Sequence, residues 1–173
     1  MSTHIADVRE IETSNTLPFH EEAGAKVPVE PTRLFDALDN HARLSSHMTR
    51  PSWRMGGATM EITTDAGQGQ TVGSVITLRG QVLGIQLRVD EVVTVHEPPT
   101  VKVWKTIGTP RLLVVGAYRM RFDIQSQGSS SLLRVSIDYD LPQRGVSRVI
   151  GRLFGRMYAR WCTRQMVADA MRL

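Results

Sequence analysis

Residues 116–142 read GAYRMRFDIQSQGSSSLLRVSIDYDLP. Tyr118, Met120, Phe122 and Ile124 recur at every second position, and so do Leu133, Val135, Ile137 and Tyr139. Such a period of two marks strands that bury one face and wet the other. A loop at Gln127 to Ser130 lets Ile124 pair with Leu133, which also sets Phe122 against Val135, Met120 against Ile137 and Tyr118 against Tyr139. A slip by one residue would turn every apolar side chain outward, so this register is strongly specified.

The same period extends upstream to Gly57. Its inner rows read Ala58, Met60 and Ile62; Ser74, Ile76 and Leu78; Ile85, Leu87, Val89, Val93 and Val95; and, after Pro98-Pro99, Val101, Val103 and Ile107. Turns separate them, so six successive strands form an antiparallel meander. Pairing Val95 with Val101 sets Val93 against Val103 and Glu91 against Lys105. Two opposed charges interrupting apolar rows predict a cross-strand ion pair, because an unmatched carboxylate there would be costly to bury.

Both flanks are different. Phe19 to Val29 is weakly strand-like, and Pro31 suits the first turn of a helix, where a missing N–H costs nothing. Leu34, Phe35 and Leu38 give that helix an apolar face. A second short helix is predicted over about 40–48, with Leu44 and Met48 inward, ending at Arg50-Pro51-Ser52-Trp53. From Gly145 the period returns to 3.6, predicting a C-terminal helix of about 25 residues. Its bulky stripe of Val146, Ile150, Leu153, Met157 and Trp161, widened by Phe154 and Tyr158, is expected to face the concave side of the sheet. Residues 1–18 lack periodicity and read as a flexible N-terminal arm; 19–173 form one α+β domain.

Composition bounds the function. A chain of 173 residues can bury one substantial core, and no apolar run approaches the roughly 20 residues that cross a bilayer. A polar N-terminus and a single cysteine, Cys162, make a cytoplasmic location the expectation. The net charge of +4 is uneven: residues 144–173 carry seven arginines against one acid, Asp169, a net of +6, which leaves −2 for the rest. Arginines at 144, 148, 152, 156, 160 and 164 advance about 40° per step around the helix. They form either a solvated outer face or a basic helix touching anionic lipid or nucleic acid. The first is favoured, so no nucleic-acid partner is expected, with transient membrane-surface contact as the alternative.

The stretches VPVEPTRLFDALDNHARLSSHM (27–48), GAYRMRFDI (116–124) and LLRVSIDYDLP (132–142) carry a family resemblance. A strand, two short helices, six antiparallel strands and a long final helix is the element order of the START-like, or SRPBCC, superfamily. That group includes polyketide cyclases and dehydrases, lipid-transport domains and the birch-pollen allergen. The resemblance spans roughly 19–173. It implies a helix-grip fold, in which a seven-stranded antiparallel sheet wraps the last helix over an apolar cavity. It also implies binding of a hydrophobic small molecule, lipid or polyketide-like; a monomer and a homodimer are both compatible with the sequence. The superfamily has no shared catalytic motif, so it transfers no catalytic residue.

Dispersed histidines without ligand spacing, and the absence of a P-loop, G-x-G-x-x-G or G-x-S-x-G, give no metal site and no cofactor. Weak catalytic candidates are His47, Glu91 and Tyr139. His47 is either an acid/base group at the cavity mouth or a surface histidine; Glu91 is either a polariser of a ligand carbonyl or a structural ion-pair member. Trp53, Met60, Tyr118, Met120, Tyr139, Met157 and Trp161 are the expected cavity lining, or else plain core. Three functions are compatible with these features: a hydrophobic-ligand binder, a cofactor-independent cyclase/dehydrase-type enzyme, or an interaction protein using the basic helix.

Overall fold

The computed structural model describes residues 17–40, 59–82 and 84–173. Val27 closes strand β1 (Phe19–Val27), and Pro31 opens helix α1 (Pro31–Asp39). Leu34, Phe35 and Leu38 of α1 are buried, as their spacing predicts. Next in the chain are strands β2 (Thr59–Thr64), β3 (Val75–Val82), β4 (Ile85–Glu97), β5 (Val101–Arg111), β6 (Tyr118–Gln127) and β7 (Ser130–Tyr139), then helix α2 (Gly145–Ala170). One seven-stranded antiparallel sheet has the order β1-β7-β6-β5-β4-β3-β2. The expected second short helix, with His47, lies outside the described residues, as do Trp53, most of the N-terminal arm and the side chain of Met60.

The β6–β7 hairpin has the predicted register in full, from Ile124 opposite Leu133 to Tyr118 opposite Tyr139. These residues form the centre of the core with Val27, Leu34, Phe35 and Ile76. The β4–β5 register differs from expectation. Val93 lies opposite Trp104 and Val95 opposite Val103, so Thr94 is an extra residue in a β-bulge. The bulge reverses the facing of the residues after it: Val95 no longer continues the inner row, and His96 turns inward to α1. On β5 the inward row is Lys102 and Trp104, opposite Phe122 and Met120, in place of Val101 and Val103. Glu91 therefore faces Thr106, while Lys105 lies opposite Val92 and is exposed. The expected Glu91–Lys105 ion pair is not formed.

Helix α2 corrects a second expectation. Its buried residues are Gly151, Gly155, Ala159, Thr163, Met166, Val167 and Ala170. Most of the bulky stripe points away: Leu153 is 69% exposed and Met157 63%, while Ile150 is half-buried and Tyr158 packs against the core. The seat is too close for large side chains. A Cβ on Gly151 would lie 2.6 Å from Pro142 Cδ and 3.0 Å from the Val114 carbonyl oxygen. On Gly155 it would lie 2.6 Å from Leu141 Cδ2 and 3.2 Å from the same carbonyl. Backbone and a proline ring yield little. Gly151→Ala, which should gain about 1 kcal/mol of helix propensity, is therefore expected to destabilise the protein by about 1–2 kcal/mol in urea unfolding through overpacking. A more stable variant would show that α2 can move off this seat.

Candidate functional site

Two polar nodes stand on the side of the sheet that faces the core. The first ties α1 to the strands. Asp39, the last residue of α1, accepts a hydrogen bond from Lys102 Nζ at 2.6 Å through Oδ1, and its Oδ2 lies 2.9 Å from His96 Nε2. Lys102 Nζ also lies 3.3 Å from the Asp39 carbonyl and 5.9 Å from the Trp104 ring centre. Lys102 is fully buried, and burial lowers the pKa of its ammonium, while Asp39 acts to keep the proton on. Phe35 packs edge-on against both His96 and Phe122, which fixes the helix over this node.

The second node is Glu91. Its carboxyl accepts from the Tyr118 hydroxyl and from the Trp104 indole N–H. Burial in apolar surroundings raises its pKa to about 7; the two donors and the charge of Lys102 act against that rise. Tyr118 is held well above the usual phenol range, first by burial and then by Glu91, so its hydroxyl keeps its proton. From α2, Tyr158 and Cys162 share a hydrogen bond and act electrostatically on Tyr118, and Tyr158 feels Glu91 as well. Burial pushes the Cys162 thiol up to about 12, which leaves it protonated and a poor nucleophile. At neutral pH the node thus offers a carboxyl that can donate or accept, beside phenols that donate.

The expected lining residues are divided by this geometry. Tyr118 and Met120 face the interior, and Tyr118 belongs to the Glu91 node. Tyr139 is buried under Gly155 and stacks on Phe19 at 5.4 Å between ring centres. Glu21 and Arg156, rather than Glu91, are the charges that act on it. Trp161 is 38% exposed, with its ring 5.9 Å from Tyr158, and Met157 points outward, so Met157 is not a lining residue. Lys102, His96 and Trp104 were missed in the sequence, because the inserted residue Thr94 gives no periodic signal. Among the described residues no group of three His, Cys, Asp or Glu side chains could hold a metal ion. No helix among them is long and apolar enough to cross a membrane.

No family model matches the chain, and no curated protein does. Solved structures do. The Zhui aromatase/cyclase from Streptomyces sp. R1128 is 14% identical, with a TM-score of 0.59 over 89% of this chain and 94% of its own. Norcoclaurine synthase from Thalictrum flavum, in complex with dopamine and hydroxybenzaldehyde, is 14% identical, with a TM-score of 0.57 over 88% and 83%. Ara h 8.0201 is 13% identical, with a TM-score of 0.57 over 90% and 99%. At such identities the likeness concerns the fold, and it agrees with the antiparallel sheet and long final helix of this chain. The chain shares the helix-grip fold of these structures.

Proposed function

We propose that the protein binds a hydrophobic small molecule, lipid or polyketide-like, between the sheet and α2, with Glu91 and Tyr118 holding its polar group. The observation that carries this reading is the Glu91 node itself. A carboxyl placed among Ile76, Val89 and Val93, with neutral donors for partners, costs stability that a plain core would not accept. Proteins retain such groups where an incoming ligand uses them. The helix-grip neighbours support the class, since one is an aromatase/cyclase and another holds two small aromatic molecules.

The protonation state of Glu91 supplies the test. Below pH 7 the carboxyl donates to a neutral carbonyl; above it, the carboxylate repels the same oxygen. A naphthyl ketone probe is expected to bind more weakly as pH rises through about 7, while Glu91→Gln, which keeps a donor, is expected to bind with little pH dependence. Fluorescence titration from about pH 5.5 to 8.5 reads both. No saturable binding of such probes, together with no apolar compound in native mass spectra of the purified protein, would overturn the proposal.

An enzyme of the cyclase/dehydrase type is the second reading. It is favoured by one observation: a carboxyl with a pKa of about 7 is matched to proton transfer at neutral pH. It predicts that Glu91→Gln retains ligand and loses turnover.

A further inference from the structure

The face that α2 turns outward is more apolar than a helix of this kind needs to be. Of the large hydrophobic side chains that are exposed, Val146, Val149, Leu153, Phe154, Met157 and Trp161 all lie on this one helix. All but Val149 fall within an arc of about 100°, on the side opposite the small-residue seat, over a length of about 23 Å. Arg160 and Arg164 border the ridge, each one turn or two from Leu153, Met157 or Trp161. The helix carries no acid before Asp169, and that carboxylate is taken by Gln165 and Arg172. Along one border of the ridge, Arg156 and Arg160 both bind Glu21 of β1, at 2.7 and 3.2 Å, which pins the helix to the sheet edge. The seat is thus complete without the bulky face.

We propose that α2 lays this ridge on an anionic lipid surface, with Leu153, Phe154, Met157 and Trp161 entering the headgroup boundary and Arg164 meeting lipid phosphates. Charge selects this occupant. A second copy packed by two-fold symmetry would bring arginines against arginines with no acid on the face to match them. The ridge is also convex and built of long flexible or aromatic side chains, so it suits a fluid interface that needs no complementary groove. A rim of arginine beside tryptophan, leucine and phenylalanine is the composition of helices that lie in the membrane plane. The inference is independent of what the interior binds.

Flotation with phosphatidylcholine vesicles, with and without phosphatidylserine, tests it on the full chain. The wild type is expected to partition at least about tenfold better onto the anionic vesicles, and less as salt rises. The double variant Leu153→Glu/Met157→Glu should lose about tenfold or more, and Arg164→Glu several-fold. Both should keep the wild-type melting temperature, since the replaced side chains are exposed. Trp161 should shift its emission to the blue on binding, a shift absent from Trp161→Phe. Equal partition onto neutral vesicles, partition unchanged in Leu153→Glu/Met157→Glu, or a dimer in sedimentation that this variant dissociates would each overturn the proposal. So would a face that takes up acidic proteins but no vesicle.

Discussion

Asp39→Ala is expected to lower the unfolding free energy by about 3 kcal/mol, because it takes the carboxylate away from a buried ammonium. Lys102 has no exposed side-chain surface, and Asp39 Oδ1 lies 2.6 Å from its Nζ. Removing one partner of a buried pair leaves the desolvation cost of the other unmatched, whereas removing both can be nearly neutral. The double variant Asp39→Ala/Lys102→Met should therefore recover most of the loss, its methionine lying along Trp104 and Phe122. Urea midpoints at constant slope measure both. If the single variant costs under about 1 kcal/mol, Lys102 has found water or another acceptor, and Asp39 is not what anchors α1.

Raising the pH from about 4.5 to 7.5 should cost the wild type about 3 kcal/mol through Glu91 alone. Its folded-state pKa, about 7, lies above the unfolded value of 4.5, so the folded state binds the proton more tightly. That contribution is fully present below pH 4.5, declines as pH rises, and is lost once pH passes about 7. Glu91→Gln keeps the shape and the acceptor oxygen without the titration. The difference in stability between the two proteins should move in favour of the variant across this window and level off above it. A constant difference from about pH 4.5 to 8 would mean that Glu91 is solvated in the folded protein.

What the sequence reveals of this structure depends on where regular periods are left intact. Tyr118 to Ile124 and Leu133 to Tyr139 alternate without interruption, and their partners can be read from pattern alone. Pro31, Leu34, Phe35 and Leu38 are equally direct. Val101-Lys102-Val103-Trp104 is ambiguous, because either alternate pair could face inward. The bulge at Thr94 decides it, and one inserted residue has no compositional mark. So Glu91 could be singled out as an interrupted apolar row, but its partners Tyr118 and Trp104 could not.

The error on α2 has a different origin. Assigning the inner face by bulk favours Leu153 and Met157, whereas the seat favours whatever lets backbones approach. Gly151, Gly155 and Ala159, at intervals of four, were the visible sign of a close approach. The pattern becomes decisive only when Pro142 and the Val114 carbonyl are known to lie beneath it.

The position of β1 bears on how the chain is made. Its ladder partner is β7, where Phe19 meets Tyr139 across 120 residues of sequence. During synthesis the first strand must therefore wait until nearly the whole domain has emerged, roughly 6–25 seconds at ordinary translation rates. Only then can β1 pair with β7 and α2 be clamped by Glu21, so topology places this protein among the slower-folding domains of its length.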